Sequence, residues 1–148
     1  VKALALACVL AVAPAAAQDV RDALKAGDLI CEFGEGAPRT SELLLVYETV
    51  TAHSAQVLST HAPGRRPVRV KATDEAVHFI ERVGPSFRVT TLTACERHAL
   101  RGGVPTCVRY AAKHAWHFDA RALTDPDRAF ADLPAGIAAG RCEPWRIN

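Results

Sequence analysis

The chain has 148 residues, 18 Lys and Arg against 16 Asp and Glu, and a formal net charge of +2, so it is the length of one domain and nearly neutral. That balance removes any global electrostatic case for nucleic acid or an acidic membrane surface as partner. With 49% apolar residues the chain can bury a core of its own, which excludes a disordered or polyelectrolyte class.

Lys2 precedes an apolar run from Ala3 to Ala13, followed by Pro14 and Ala15-Ala16-Ala17. A positive start, a short apolar stretch and small residues at an A-x-A site are the parts of a secretory signal peptide. The run is well short of the roughly 20 residues that cross a bilayer as a helix. Residues 1–17 are therefore expected to be a cleaved signal, residues 18–148 a single β-rich domain with no stable membrane span, and the destination periplasmic or secreted.

Asp19 to Ala26 reads as a short helix with Asp19 as cap and Gly27 in the left-handed position that ends it. Seven strand-like segments follow: Leu29–Phe33, Leu43–Thr51, Ala55–Thr60, Val68–Ala72, Ala76–Val83, Phe87–Cys95 and Thr106–Asp119. The turn signals between them include Pro63-Gly64, Gly84-Pro85 and Gly102-Gly103. Short connections require antiparallel neighbours, because a parallel crossover needs a dozen residues or more. The expected fold is mainly β: an antiparallel meander of about seven strands, closed as a small barrel or folded as a sandwich. A second helix is expected between Thr124 and Pro134. The tail from Gly136 to Gly140 reads as flexible, Cys142 as an anchor and Trp145 as a plug at one end of the sheet.

Period-two alternation assigns faces. Val68, Val70 and Ala72 point one way and Arg69 and Lys71 the other. Val108, Tyr110, Ala112, His114, Trp116 and Phe118 share one face of the last strand. Phe87 and Val89 read as inward, which carries Cys95 inward too, while Cys107 falls on the polar face of its own strand.

The chain has five cysteines, and four remain once Cys8 is assigned to the signal. An even count in an exported chain without a C-x-x-C pair points to disulfides rather than zinc or a redox motif. Of three possible pairings, Cys95 with Cys107 staples a local hairpin and Cys31 with Cys142 ties the first strand to the tail. The face conflict at Cys95 requires a bulge or a shifted turn.

No Gly-rich phosphate loop and no G-x-S-x-G elbow is present, and no cofactor is expected. His114 and His117 are three apart, a spacing that puts strand side chains on opposite faces and disfavours a shared metal. Basic residues offer the better lead. Arg65 and Arg66 are placed at a hairpin tip, with Arg69, Lys71, Arg82 and Arg88 on the strands that follow. On neighbouring strands these side chains would form a positive strip for an acidic protein surface, an anionic envelope polymer or a carboxylate.

The function expected is an exported cell-envelope binding module that recognises a protein, glycan or small acidic ligand without catalysis. The alternatives are a small periplasmic hydrolase or metal-dependent enzyme using His78, His114 or His117, and a structural envelope factor. A cavity lined by His114 and Trp116 would favour a small-ligand carrier. A filled interior with an exposed Arg strip would favour macromolecular recognition.

Overall fold

A computed structural model describes residues 19–35, 43–60, 62–84, 86–118 and 137–145. The signal peptide and the second helix of the sequence reading lie outside these residues. Eight strands are present: β1 (Leu29–Glu35), β2 (Leu43–Glu48), β3 (Ser54–Ser59), β4 (Ala62–Ala72), β5 (Val77–Val83), β6 (Ser86–Arg101), β7 (Val104–Phe118) and β8 (Ile137–Pro144). Each pairs antiparallel with the next, and β8 pairs with both β7 and β1 to close a barrel. The eighth strand is the difference from the expected seven, and it occupies the segment read as a flexible tail.

Gly140 explains that difference. It lies opposite Phe33 on β1 and Ala112 on β7. A Cβ at this position would overlap the Glu32 carbonyl oxygen and the Phe33 ring. The small residues that make the segment look unstructured are what allow β8 to fit between its neighbours.

The C-terminal ends of β1, β3, β5 and β7 lie at one end of the barrel, here called the mouth. The helical segment 19–25, which ends in a 3₁₀ turn over Asp22–Lys25, lies at the other end, the base. Its Val20 and Ala23 are buried in the core. Gly27 holds φ +82°, as a helix-terminating glycine does. Asp19 accepts from or ion-pairs with His98 Nε2 at 3.1 Å, well beyond its expected capping role.

The expected hairpin tip at Pro63-Gly64 is displaced. Both residues lie inside β4, where two extra residues are accommodated between the pairs Val57↔Arg66 and Ser59↔Ala62, with Gly64 at φ +82°. Arg65 and Arg66 therefore stand in the strand.

On β6 the face reading is reversed. Thr90 and Leu92 are buried and Phe87 is exposed. Phe87 and Val89 point outward because the inward Thr90 has polar partners inside. Three register shifts then bring the cysteines together. β6 gains a residue between Leu92 and Ala94 and another between Cys95 and Arg97, and β7 gains Val108 between Cys107 and Arg109. Cys107 becomes buried, contrary to strict alternation, and Cys95–Cys107 forms. Cys31 and Cys142 face each other directly across β1 and β8 and form the second disulfide. The core is filled by Phe33, Phe79, Tyr110, Leu29 and Leu92, as expected for eight strands, whose barrel is just wide enough for side chains. Trp145 remains 37% exposed at the base and does not plug it.

Candidate functional site

At the mouth four cross-strand neighbours turn inward in sequence: Val68 opposite Glu81, Glu81 opposite Arg88, and Arg88 opposite Trp116. The alternation that buries Val77 and Phe79 also buries Glu81, a carboxylate only 4% exposed. Arg66 shares the inward side of β4 with Val68 and Val70, and its Nε donates to Glu81 Oε1. Arg66 Nη1 donates to the Ala62 carbonyl at 3.2 Å, while Nη2 is buried without an acceptor among the described residues.

A buried polar line continues below. The Tyr47 hydroxyl donates to Thr90 Oγ1 at 2.7 Å, and Thr90 Oγ1 lies 2.8 Å from His114 Nδ1. With Tyr47 as donor, Thr90 passes its own proton to Nδ1, which assigns the neutral tautomer with the proton on Nε2. Burial pushes the Tyr47 phenol well above its ordinary value, with Glu81 adding to the rise. His114 is 2% exposed, and burial, aided by the Arg88 charge, lowers its pKa to about 4. Its ring packs against Phe33 at 5.4 Å and edge-on to Trp116 at 4.9 Å. Tyr47 stacks on Phe79 at 4.3 Å.

The basic residues singled out in the sequence are divided by the wall of the barrel. Arg66 and Arg88 face inward at the mouth. Arg65, Arg69, Lys71 and Arg82 face outward. Arg65 is bound bidentately by Glu48, at 2.6 and 3.3 Å, and this contact lowers the Glu48 pKa. Arg82 lies over the Phe87 ring, 6.0 Å from its centre. The outer strip is thus partly neutralised, and the inner pair shares Glu81 as neighbour, Arg66 through its Nε and Arg88 as the facing residue on β6. His114 and Trp116 lie together in the interior.

His78 is on the outer face of β5, bonded through Nδ1 to Thr91 Oγ1 at 3.0 Å, with its pKa lowered by partial burial and by Lys71. It is separated from His114 by the sheet. The side chain of His117 lies outside the described residues. Among the described residues no three His, Cys, Asp or Glu side chains are grouped to hold a metal. No helix among them is long and apolar enough to cross a membrane.

No family, curated protein or solved structure matches the chain. The site therefore has to be read from its own chemistry. Among the described residues the mouth has two guanidinium groups to one carboxylate, an excess of positive charge in a partly desolvated place, beside a flat indole. Such a set can grip a carboxylate through paired N–H donors and cover its apolar part with the ring.

Sequence reasoning missed Tyr47, Thr90 and Glu81. For Glu81 the signal is in the strand itself: Val77, Phe79 and Glu81 alternate on one face, so an inward acid needs a cationic partner, and Arg66 stands in the same relation to Val68 and Val70.

Proposed function

We propose that this protein is an exported, non-catalytic binding module that takes a small acidic ligand at the mouth of its barrel. Arg66 and Arg88 bind the carboxylate, and Trp116 contacts the remainder. The observation that carries the reading is the charge imbalance at the mouth: Glu81 is engaged by Arg66 Nε, and Arg66 Nη2 is buried with no acceptor among the described residues. A buried donor left unpaired costs roughly 1–3 kcal/mol, which an anionic ligand recovers. The packed centre supports a shallow site at the mouth over a deep cavity. Disulfides and the leader-like N-terminal sequence support export.

The test is calorimetric titration of the purified protein with a panel of small mono- and dicarboxylates and sugar acids, at low and at moderate salt. Binding should weaken with salt. Arg88→Gln should lower affinity at least tenfold while leaving the Arg66–Glu81 pair intact. Full affinity in Arg88→Gln would overturn the assignment. So would the absence of any bound acid, both in the panel and in native mass spectra of protein taken from its own compartment.

A further inference from the structure

The two disulfides differ in their surroundings. Cys31 and Cys142 are fully buried between β1 and β8. Cys95 is only partly buried, on the long hairpin that β6 and β7 form at the base, while its partner Cys107 is 1% exposed. His98 Nδ1 lies 3.8 Å from Cys95 Sγ, and on the other side of the ring His98 Nε2 lies 3.1 Å from Asp19 Oδ2. Cysteine, imidazole and carboxylate thus stand in line, the order in which a carboxylate orients a histidine beside a sulfur nucleophile. The Cys107 side holds Asp22, whose Oδ1 is ion-paired with Lys25 Nζ at 3.8 Å. Asp22 Oδ2 accepts from the Cys107 N–H at 3.4 Å, so a carboxylate sits next to this cysteine. The remaining contacts do not distinguish the two sulfurs: Cys95 Sγ lies 3.3 Å from the Arg97 carbonyl oxygen and Cys107 Sγ 3.2 Å from that of Arg109. A cleft of about 260 Å³, lined in part by Asp22, Lys25, Arg101, Thr106 and Cys107, opens beside the bond.

We infer that Cys95–Cys107 is an exchange-active disulfide, which oxidises a thiol pair supplied by another molecule, with His98 as the group that stabilises the Cys95 thiolate. The steps balance as a two-electron exchange. A thiolate of the partner attacks Sγ of Cys95, the less buried of the two cysteines, the Cys95–Cys107 bond breaks, and Cys107 leaves and takes up a proton. The second thiolate of the partner then attacks the partner sulfur of the mixed disulfide and expels Cys95 as a thiolate beside His98, the second proton of the partner's thiols having passed to solvent. The partner's two thiols become a disulfide, and this disulfide becomes a dithiol. A group that stabilises the reduced form makes a disulfide a stronger oxidant. Asp19 fixes the imidazole with its Nδ1 toward sulfur. Burial disfavours charge on Cys107, so the reduced pair is polarised, with the less buried Cys95 the nucleophile and Cys107 the sulfur that closes the bond again.

Glutathione serves as the probe. The intact protein is equilibrated in glutathione buffers of graded oxidation, quenched in acid and alkylated, and each disulfide is counted by peptide mass spectrometry. Cys95–Cys107 should open in buffers at least tenfold more oxidising than those that open Cys31–Cys142. His98→Ala should shift its equilibrium at least tenfold toward the disulfide, equivalent to about 30 mV. In wild-type protein with Cys31–Cys142 intact, the thiolate absorbance of Cys95 should titrate below about 7.5, and in His98→Ala it should return toward the ordinary value near 8.5. Asp19→Asn should move both readouts in the same direction by less. A purely structural histidine would change the melting temperature of the oxidised form and leave the thiolate titration unmoved. That result, or simultaneous opening of both disulfides, overturns the inference.

Discussion

His114 is held neutral by its surroundings, and this has a sign that can be worked out. Its pKa is near 4 in the folded protein, against about 6.5 for a free histidine. Between those values the unfolded chain binds more protons than the native one, so stability rises with pH across the window and is lost as pH falls through it. The full effect is about 3 kcal/mol, complete above pH 6.5 and gone by pH 4. The local chemistry agrees: a proton on Nδ1 would turn the acceptor of the Thr90 hydroxyl into a donor and leave the Thr90 proton unpaired. Urea midpoints measured from pH 7 to pH 4 should fall steeply for the wild type. In His114→Gln, which cannot titrate, the fall over the same range should be smaller by about that amount.

At the scale of the element, β8 carries the clearest lesson. Gly140→Ala should cost about 1–3 kcal/mol, because the new methyl group meets backbone at Glu32 and the ring of Phe33. Gly34→Ala is the control: its Cβ meets nothing within 4 Å, so the urea midpoint should hardly change. Antiparallel order and the presence of two disulfides were legible in the sequence, since short turns and an even cysteine count constrain them directly, while the connectivity of the disulfides was only favoured among three pairings. β8 was not, because a strand rich in Gly and Ala has little propensity of its own and exists through its neighbours. The inward face of β6 was hidden for a related reason. Thr90 looks like a surface residue until Tyr47 and His114, 43 and 24 positions away in sequence, are seen to meet it. For the candidate site, Arg66, Arg88, His114 and Trp116 were found as residue types; alternation with Val68 and Val70 carries Arg66 inward, whereas Arg88 turns inward with Thr90, whose partners lie far away in sequence.

For the whole molecule, the two ends of the sheet are held together by Cys31–Cys142, which spans 111 residues. Loop-closure entropy of that size is worth about 5 kcal/mol. Cys142→Ser should therefore lower the melting temperature by more than 10 °C, approximately, at this domain size. An unchanged melting temperature would show that strand pairing alone closes the barrel. The pairing of the first strand with the last also has a consequence for the order of events in time. β1 finds one partner in β2 at once, but the other lies more than a hundred residues further along. Until residues 137–144 arrive, the outer edge of β1 has open backbone groups and the hydrophobic faces of seven strands have no closed interior. Contacts so distant in sequence place the chain among slow folders, in milliseconds to seconds rather than microseconds. During that interval the chain is most exposed to mispairing, and the arrival of its final strand ends it.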